Sequence, residues 1–249
     1  MEPAQKIRDA VAQVSQLREQ ASGNPVLGAA VAAVKRLQSR RFAGTYADLL
    51  GGGGPYRAAA QFFLHELYGD ADYSERDAQF SRIAGALQKL FPQQVTATAV
   101  SLAQLHTLTE QLDHAVGWVR ARDEAPDAVL RPAGYIGAWR AVARRADREA
   151  QLAKVLEIGR ELQQLTRAPG LRLMLKMMRA PAAAAGMGAL QRFLEAGFDT
   201  FAAMARHAGG ADGFLDIIRQ RESALITMLF DADLVDCETE LARTLGQAP

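Results

Sequence analysis

Apolar residues recur at helical spacing along most of this 249-residue chain. The clearest example is the segment 93–122, where Val95, Leu102, Leu105 and Leu112 lie on a nearly heptad seam, which is typical of a helix that packs in a bundle. No segment alternates apolar and polar residues for long enough to predict a strand. We therefore expect an all-α protein built as a multi-helix bundle.

Glycine and proline lie between the helical segments rather than within them, and they predict where helices begin and end. A polar stretch with a proline, residues 123–127, separates two long predicted helices, 93–122 and 132–166. We place a boundary there. The chain is then expected to form two packed helical halves, an N-terminal bundle of residues 1–125 and a C-terminal half of residues 126–249.

An earlier helix is predicted to begin after Asn24, which is a good N-cap, with Pro25 at its first position. This helix is expected to run to Arg41, with its apolar residues on one side. The end of this helix carries four cations, which suits the negative end of a helix dipole, and we expect them to be solvated rather than to bind phosphate. These cations are Lys35, Arg36, Arg40 and Arg41.

Composition limits the classes of partner and compartment. The formal net charge is +1, so no overall field favours nucleic acid, and no segment approaches the ~20 apolar residues that a membrane span needs. The N-terminus lacks the basic start and hydrophobic run of a signal peptide. Cys237 is the only cysteine, which fits a reducing compartment. We expect a cytoplasmic protein without a membrane span and without a nucleic-acid partner.

The densest mixture of bulky apolar and ionisable side chains lies in residues 61–69, QFFLHELYG, which are followed by residues 74–77, SERD. We expect the first stretch to complete a helix over residues 56–68. Ser74 is expected to cap the next helix, with Asp77 three residues on in an approximate capping box.

Glu66 lies on the shoulder of an apolar helix face, where an unpartnered carboxylate is costly. The long predicted helix offers three ionisable side chains on one stripe, His106, Glu110 and Asp113. If the two helices are neighbours, Glu66 can face His106 and Glu110. We expect this junction to hold whatever chemistry the chain performs.

Two interpretations of this junction stay open. In the first, Glu66 and His106 form a hydrogen-bonded polar cluster with arginines such as Arg76. In the second, the junction binds a ligand, performs acid–base chemistry, or holds a metal through Glu66, His106 and Glu110, as facing bundle helices do in carboxylate-bridged metal sites, although no Glu-x-x-His pair is present. The candidate residues are Glu66, Tyr68, Arg76, Asp77, His106, Glu110 and Asp113.

The second half of the chain is rich in methionine and phenylalanine, and methionine packs adaptably. These side chains either fill the core or form an apolar groove for a lipid-like ligand or a partner helix. His207 precedes two glycines at a predicted helix end, where a capping role is favoured over haem ligation.

The motif FFLHELYG at residues 62–69, together with Arg76 and Asp77, resembles that of an uncharacterised bacterial family of all-helical proteins. The stretch 171–195 looks like the C-terminal half of the same family. The resemblance covers most of the chain. It implies a bacterial, all-helical protein and names no activity.

The function that these patterns favour is that of a non-enzymatic, cytoplasmic helical protein that binds a partner protein or an apolar ligand. A partner, including a second copy of the chain, would pack on apolar helix faces. One alternative is a helical-bundle enzyme or sensor that uses Glu66, His106, Glu110 and Asp113, with or without a metal. The other is a haem-binding helical protein.

Overall fold

A computed structural model of the chain describes residues 1–67, 72–122 and 130–248. Within these ranges the chain forms α-helices and one π-helical turn and contains no strand, which confirms the all-α prediction. The elements are α1 (Pro3–Ser22), α2 (Pro25–Thr45), α3 (Ala47–Gly51), α4 (Arg57–Phe62), the π turn (Phe63–Leu67), α5 (Ser74–Leu90), α6 (Gln93–Arg120), α7 (Pro132–Val142), α8 (Arg145–Thr166), α9 (Leu171–Met177), α10 (Arg179–Ala184), α11 (Gly188–Met204), α12 (Gly210–Asp231) and α13 (Leu234–Gly246). None of the described helices is both long and apolar enough to cross a membrane.

The long helix α6 is the centre of the first half. Helices α1, α2 and α5 all pack against it, and Ile7, Leu87 and Ala103 are buried in a cluster that joins α1, α5 and α6. The approach of α2 is so close that a Cβ added at Gly117 would lie 2.5 Å from a methyl carbon of Val31. Glycine is therefore required at that crossing.

Helices that precede the predicted boundary share hydrophobic clusters with helices that follow it. Phe42 and Phe63 pack in one buried cluster with Phe201 and Phe214. A second cluster joins α2 to α7 and α13, and its buried members include Val34, Leu37, Tyr135, Trp139 and Leu241. The predicted boundary at residues 123–127 lies outside the described residues, so the division into two halves stays a prediction.

The single helix predicted over residues 132–166 is wrong. Helix α7 ends at Val142 and α8 begins at Arg145 because Ala143 adopts a left-handed backbone conformation, with φ 54°. The break brings Arg148 over the ring of Trp139, with the guanidinium carbon 4.1 Å from the ring centroid. Cation–π contact of this kind is favourable when the groups are desolvated, and both side chains are buried.

Helix α2 begins as predicted, since the Asn24 side chain accepts a hydrogen bond from the Leu27 amide at 3.2 Å. It continues to Thr45, however, and the prediction of a solvated basic end is wrong for Arg41. That residue is only 4% exposed, and its Nη1 donates to Glu222 Oε1 at 2.6 Å. The hydroxyl of Tyr46 donates to the same carboxylate oxygen at 3.0 Å.

Candidate functional site

The motif helix is not a regular α-helix. It begins as α4 and passes into the π turn, whose wider winding often occurs at functional sites. The last carbonyls of any helix lack intrahelical partners. Here the His65 carbonyl accepts from the Tyr73 hydroxyl at 2.6 Å, and the Glu66 carbonyl accepts from Arg76 Nη1 at 3.0 Å. Side chains at the start of the next helix thus close the end of this one.

A cavity of about 220 Å³ lies between the π turn and helices α5, α6, α8 and α11. Its lining is mostly aliphatic and aromatic. Both parts of the motif line the cavity: Phe62, Phe63, Glu66 and Leu67 belong to the first part, and Arg76 and Asp77 to the second. The apolar lining outside the motif includes Phe80, Leu102, Leu105, Leu162, Phe193 and Phe198.

Most of the ionisable and amide side chains in this lining belong to α2, the π turn, α5 and α6, and we call these eight the polar wall. Its members are Lys35, Gln38, Glu66, Arg76, Asp77, His106, Glu110 and Asp113. The polar wall is built from α2, the π turn, α5 and α6, so it joins four elements of the first half.

Asp77 links α5 to both α1 and α6. Its Oδ2 lies 2.8 Å from Arg18 Nη2 and 2.9 Å from His106 Nε2, and the residue is 6% exposed. Burial alone would raise the pKa of Asp77, but the hydrogen bond and charge of His106 and the charge of Arg18 outweigh it and hold the pKa below its ordinary value. An ionised Asp77 only accepts hydrogen bonds, so Nε2 of His106 carries the proton.

Two further carboxylates of the polar wall are held by α2. Lys35 Nζ lies 2.7 and 2.8 Å from the two carboxylate oxygens of Glu110. Gln38 Nε2 donates to Asp113 Oδ1 at 2.7 Å, and Arg148 Nη2 lies 3.9 Å from the same oxygen. Burial raises the pKa of Asp113 above its ordinary value, against the opposing charges of Arg148 and Lys35.

Glu66 is paired with Arg76. Arg76 Nη1 lies 3.3 Å from Glu66 Oε2, and its guanidinium carbon lies 4.2 Å from the ring centroid of Tyr73 and 4.4 Å from that of Phe193. Burial lowers the pKa of Arg76 from its ordinary value. The arginine is therefore fixed at the edge of the cavity by an ion pair and two aromatic rings.

The structure places Glu66, His106 and Glu110 around one cavity but gives each a different partner, namely Arg76, Asp77 and Lys35. In the described part of the chain, no group of three or more His, Cys, Asp or Glu side chains could hold a metal ion. The predicted metal site at Glu66, His106 and Glu110 does not agree with this arrangement, whereas the predicted pairing of Glu66 with Arg76 does.

The predicted cap of the helix after the motif also changes. The capping box at Ser74 and Asp77 is wrong, because Asp77 bonds to Arg18 and His106 while the Ser74 amide donates to Asp72 Oδ1 at 2.9 Å. Tyr68 lies outside the described residues. His207 lies exposed in the turn between α11 and α12, away from the cavity lining.

Sequence reasoning missed four residues that hold the carboxylates of the polar wall, which are Arg18, Lys35, Gln38 and Arg148. A signal for two of them existed. Lys35 and Gln38 are three residues apart, as are Glu110 and Asp113, so two helices that cross there can pair both sets at once.

The methionine-rich segment supplies one end of the cavity. Leu171 and Leu175 of α9 line it, whereas Leu173 and Met177 of the same helix are 61% and 65% exposed. No methionine is among the described residues that line the cavity, so the choice between core packing and an apolar groove for these methionines stays open.

Comparison with known proteins gives a family and no activity. No curated protein and no solved structure matches the chain. A family model described as a domain of unknown function, DUF8198, matches residues 17–235, a range that contains the motif, the whole polar wall and every cation that pairs with it. The chain therefore belongs to the DUF8198 family.

Proposed function

We propose that the protein is a non-enzymatic, cytoplasmic binding protein for an apolar ligand, which the cavity between the π turn and helices α5, α6, α8 and α11 encloses. The observation that carries the proposal is the size of the cavity together with its apolar lining. At about 220 Å³ it is more than ten times the ~10–15 Å³ that one ordered water needs. Pockets of this kind, mostly apolar with a few convergent polar groups, are typical of small-molecule sites.

The energy of such a space supports a ligand. Protein interiors hold few voids larger than a water molecule. Water that lies against aliphatic and aromatic walls is unfavourable, and an apolar ligand that displaces it removes that apolar surface from water.

The partners of the polar wall support binding rather than turnover. Asp77, Glu110 and Asp113 are each less than 10% exposed and each lies against a cation or an amide from another helix. These contacts tie α1 to α5 and α2 to α6 around the cavity. A wall whose carboxylates are already engaged holds the cavity open and gives the ligand one polar side.

Fluorescence of the neutral probe N-phenyl-1-naphthylamine tests the proposal, because the probe brightens on entering an apolar site. We expect the wild-type chain to bind it. The variant Leu102→Trp, which adds an indole at a lining position of α6, should bind at least about tenfold more weakly while keeping its thermal midpoint. The control Ala97→Trp adds the same indole on an exposed position of α6 and should bind as the wild type does. Absence of probe binding, or equal affinities of the two variants, would contradict the proposal.

A second candidate is acid–base catalysis at the same wall, and one observation favours it. The Asp77 carboxylate orients the His106 imidazole at the cavity lining, with 2.9 Å between Oδ2 and Nε2, which is the way a carboxylate orients a general base. The probe is hydrolysis of p-nitrophenyl dodecanoate. A fall of about 10²–10⁴ in rate for His106→Gln supports catalysis, and equal rates for the variant and the wild type exclude it.

A further inference from the structure

Arg76 differs from the other cations around the cavity in how its guanidinium is used. Arg18 and Lys35 point at carboxylates with which they form short ion pairs, at 2.8 and 2.7 Å. Arg76 meets Glu66 at a longer 3.3 Å and uses Nη1 both for this contact and for the Glu66 carbonyl. A single nitrogen of the group thus accounts for both of its hydrogen-bond partners.

The other edge of the guanidinium carries Nε and Nη2. Among the described residues neither nitrogen has a hydrogen-bond partner, although the side chain is only 14% exposed. Both nitrogens keep some contact with solvent, so an incoming acceptor can reach them. The Nε–Nη2 edge of arginine matches the two oxygens of a carboxylate in a bidentate pair, so an acceptor of that shape satisfies both nitrogens at once.

The surroundings of Arg76 fix this edge in place. The rings of Tyr73 and Phe193 lie against the guanidinium, and Nη1 is held at the end of the π turn. Because the group is already ordered, little side-chain entropy is lost when a ligand binds to it. Phe193 itself lines the cavity, so the anchored cation stands directly beside an apolar space.

The rest of the polar wall directs a negative charge toward Arg76. Glu110 and Asp113 are carboxylates with partners of their own, and each repels an anionic group placed near it. An anionic ligand is therefore most favourable with its charge at Arg76 and its apolar part among the phenylalanine and leucine side chains of the cavity.

We propose that the ligand is an amphipathic monocarboxylic acid, with its carboxylate bound to the Nε–Nη2 edge of Arg76 and its hydrocarbon body in the cavity. This inference rests on the proposed function, since it specifies the ligand class of the same cavity. It also gives a role to both parts of the motif, in which Phe62 and Phe63 contact the hydrocarbon and Arg76 contacts the head group.

Competition between ligands that differ only in the head group tests the inference. Dodecanoate and dodecan-1-ol are titrated against N-phenyl-1-naphthylamine bound to the full chain at pH 7.5. We expect dodecanoate to bind at least tenfold more tightly than the alcohol. In Arg76→Gln the affinity for dodecanoate should fall about 10- to 100-fold, the loss of charge-assisted hydrogen bonds. Affinities for the alcohol and the probe should stay within about twofold. The control Arg160→Gln, at an exposed position of α8, should change none of the three.

Two further variants keep the test decisive if Arg76→Gln folds poorly. Arg76→Lys keeps the charge but lacks the bidentate edge, and it should lose most of the preference for dodecanoate over the alcohol. Glu66→Gln removes the carboxylate that competes for Arg76, and it should bind dodecanoate several-fold more tightly with no change for the alcohol. The opposite signs of these two effects cannot both come from a loss of folding.

The outcomes separate this inference from the proposed function. If the neutral probe does not bind, the proposed function fails. If the probe binds but dodecanoate and dodecan-1-ol compete equally, or Arg76→Gln weakens both alike, the cavity is a binding site and the carboxylate assignment alone is overturned. Dodecyl phosphate that binds tenfold more tightly than dodecanoate would also overturn it.

Discussion

Helix α2 contributes to two regions of buried charge that differ in what surrounds them. Lys35 and Gln38 lie on the polar wall of the cavity, where they hold Glu110 and Asp113. Three residues further on, Arg41 pairs with Glu222 inside the packed core and is absent from the cavity lining. The side chain of Lys35 is 27% exposed, whereas that of Arg41 is 5% exposed.

The two regions differ in how easily their charged side chains can change partners. Arg41 Nη1 and the Tyr46 hydroxyl both donate to Glu222 Oε1, and all three residues are buried, so solvent has little access to this pair. On the polar wall each group borders a space that a ligand or water can enter. The core pair therefore works as a fixed structural contact, while the polar wall can exchange one partner for another. Three substitutions test this contrast.

The largest effect is expected in the core. Arg41→Leu leaves the Glu222 carboxylate buried without its cation, and breaking a buried pair from one side typically costs about 3–5 kcal/mol of unfolding free energy. Urea denaturation measures this loss of unfolding free energy. The affinity of the folded protein for N-phenyl-1-naphthylamine should not change. Arg36→Leu, at an exposed position of the same helix, should stay within about 0.5 kcal/mol. A loss at Arg41 no larger than at Arg36 would mean that the core pair is as adaptable as the polar wall.

An intermediate effect is expected at Asp77. Asp77→Asn weakens two charge-assisted hydrogen bonds, so we expect a loss of about 1.5–3 kcal/mol at pH 7. The pKa of Asp77 is lowered in the folded protein. Its ionised form therefore contributes stability above the unfolded pKa of about 3.9, and that stability is lost as the pH falls through the folded pKa. Urea denaturation across pH 7 to 4 should show the difference between variant and wild type begin to shrink near the acid end. A difference that grows toward acid would contradict the assignment.

The smallest effect is expected at Asp113, the buried carboxylate of α6 that accepts from Gln38. Asp113→Asn keeps an acceptor for Gln38 and removes a charge that burial disfavours, so we expect a change within about 1 kcal/mol at pH 7. The pKa of Asp113 is raised in the folded protein, so its contribution is present below the unfolded pKa and is lost as the pH rises through the folded pKa. The unfolding free energy of the variant, relative to that of the wild type, should thus increase with rising pH. For Asp77→Asn the same difference should change in the opposite direction. Parallel denaturation series of the two variants check this, and equal slopes would remove the distinction between them.

The sequence predicts the fold class well because helical periodicity is a local property. The Asn24 cap and the apolar seam of α6 both depend on residues a few positions apart. The break at Ala143 could not be predicted, because alanine favours helices and no glycine or proline stands near it. The contact between Arg148 and Trp139 accompanies the break, and it forms only once the helices pack.

For the candidate site, the sequence indicated several residues that line the cavity but few of their hydrogen-bond and ion-pair partners. It selected Glu66, Asp77, His106, Glu110 and Asp113, all of which line the cavity. It could not find that Asp77 is held by Arg18, because fifty-nine residues separate the two in the chain. Periodicity shows which side of a helix a charge lies on, and it does not show which distant helix faces that side.

One contact described above ties the end of the π turn to the ligand. Arg76 Nη1 donates a hydrogen bond to the Glu66 carbonyl. The same guanidinium is the proposed partner of the ligand's carboxylate. Two equilibria that share one group must influence each other by equal amounts. Occupancy by an acid therefore changes how often the Glu66 and Leu67 amides open to exchange, and a substitution that loosens those amides must change the acid's affinity by the matching factor.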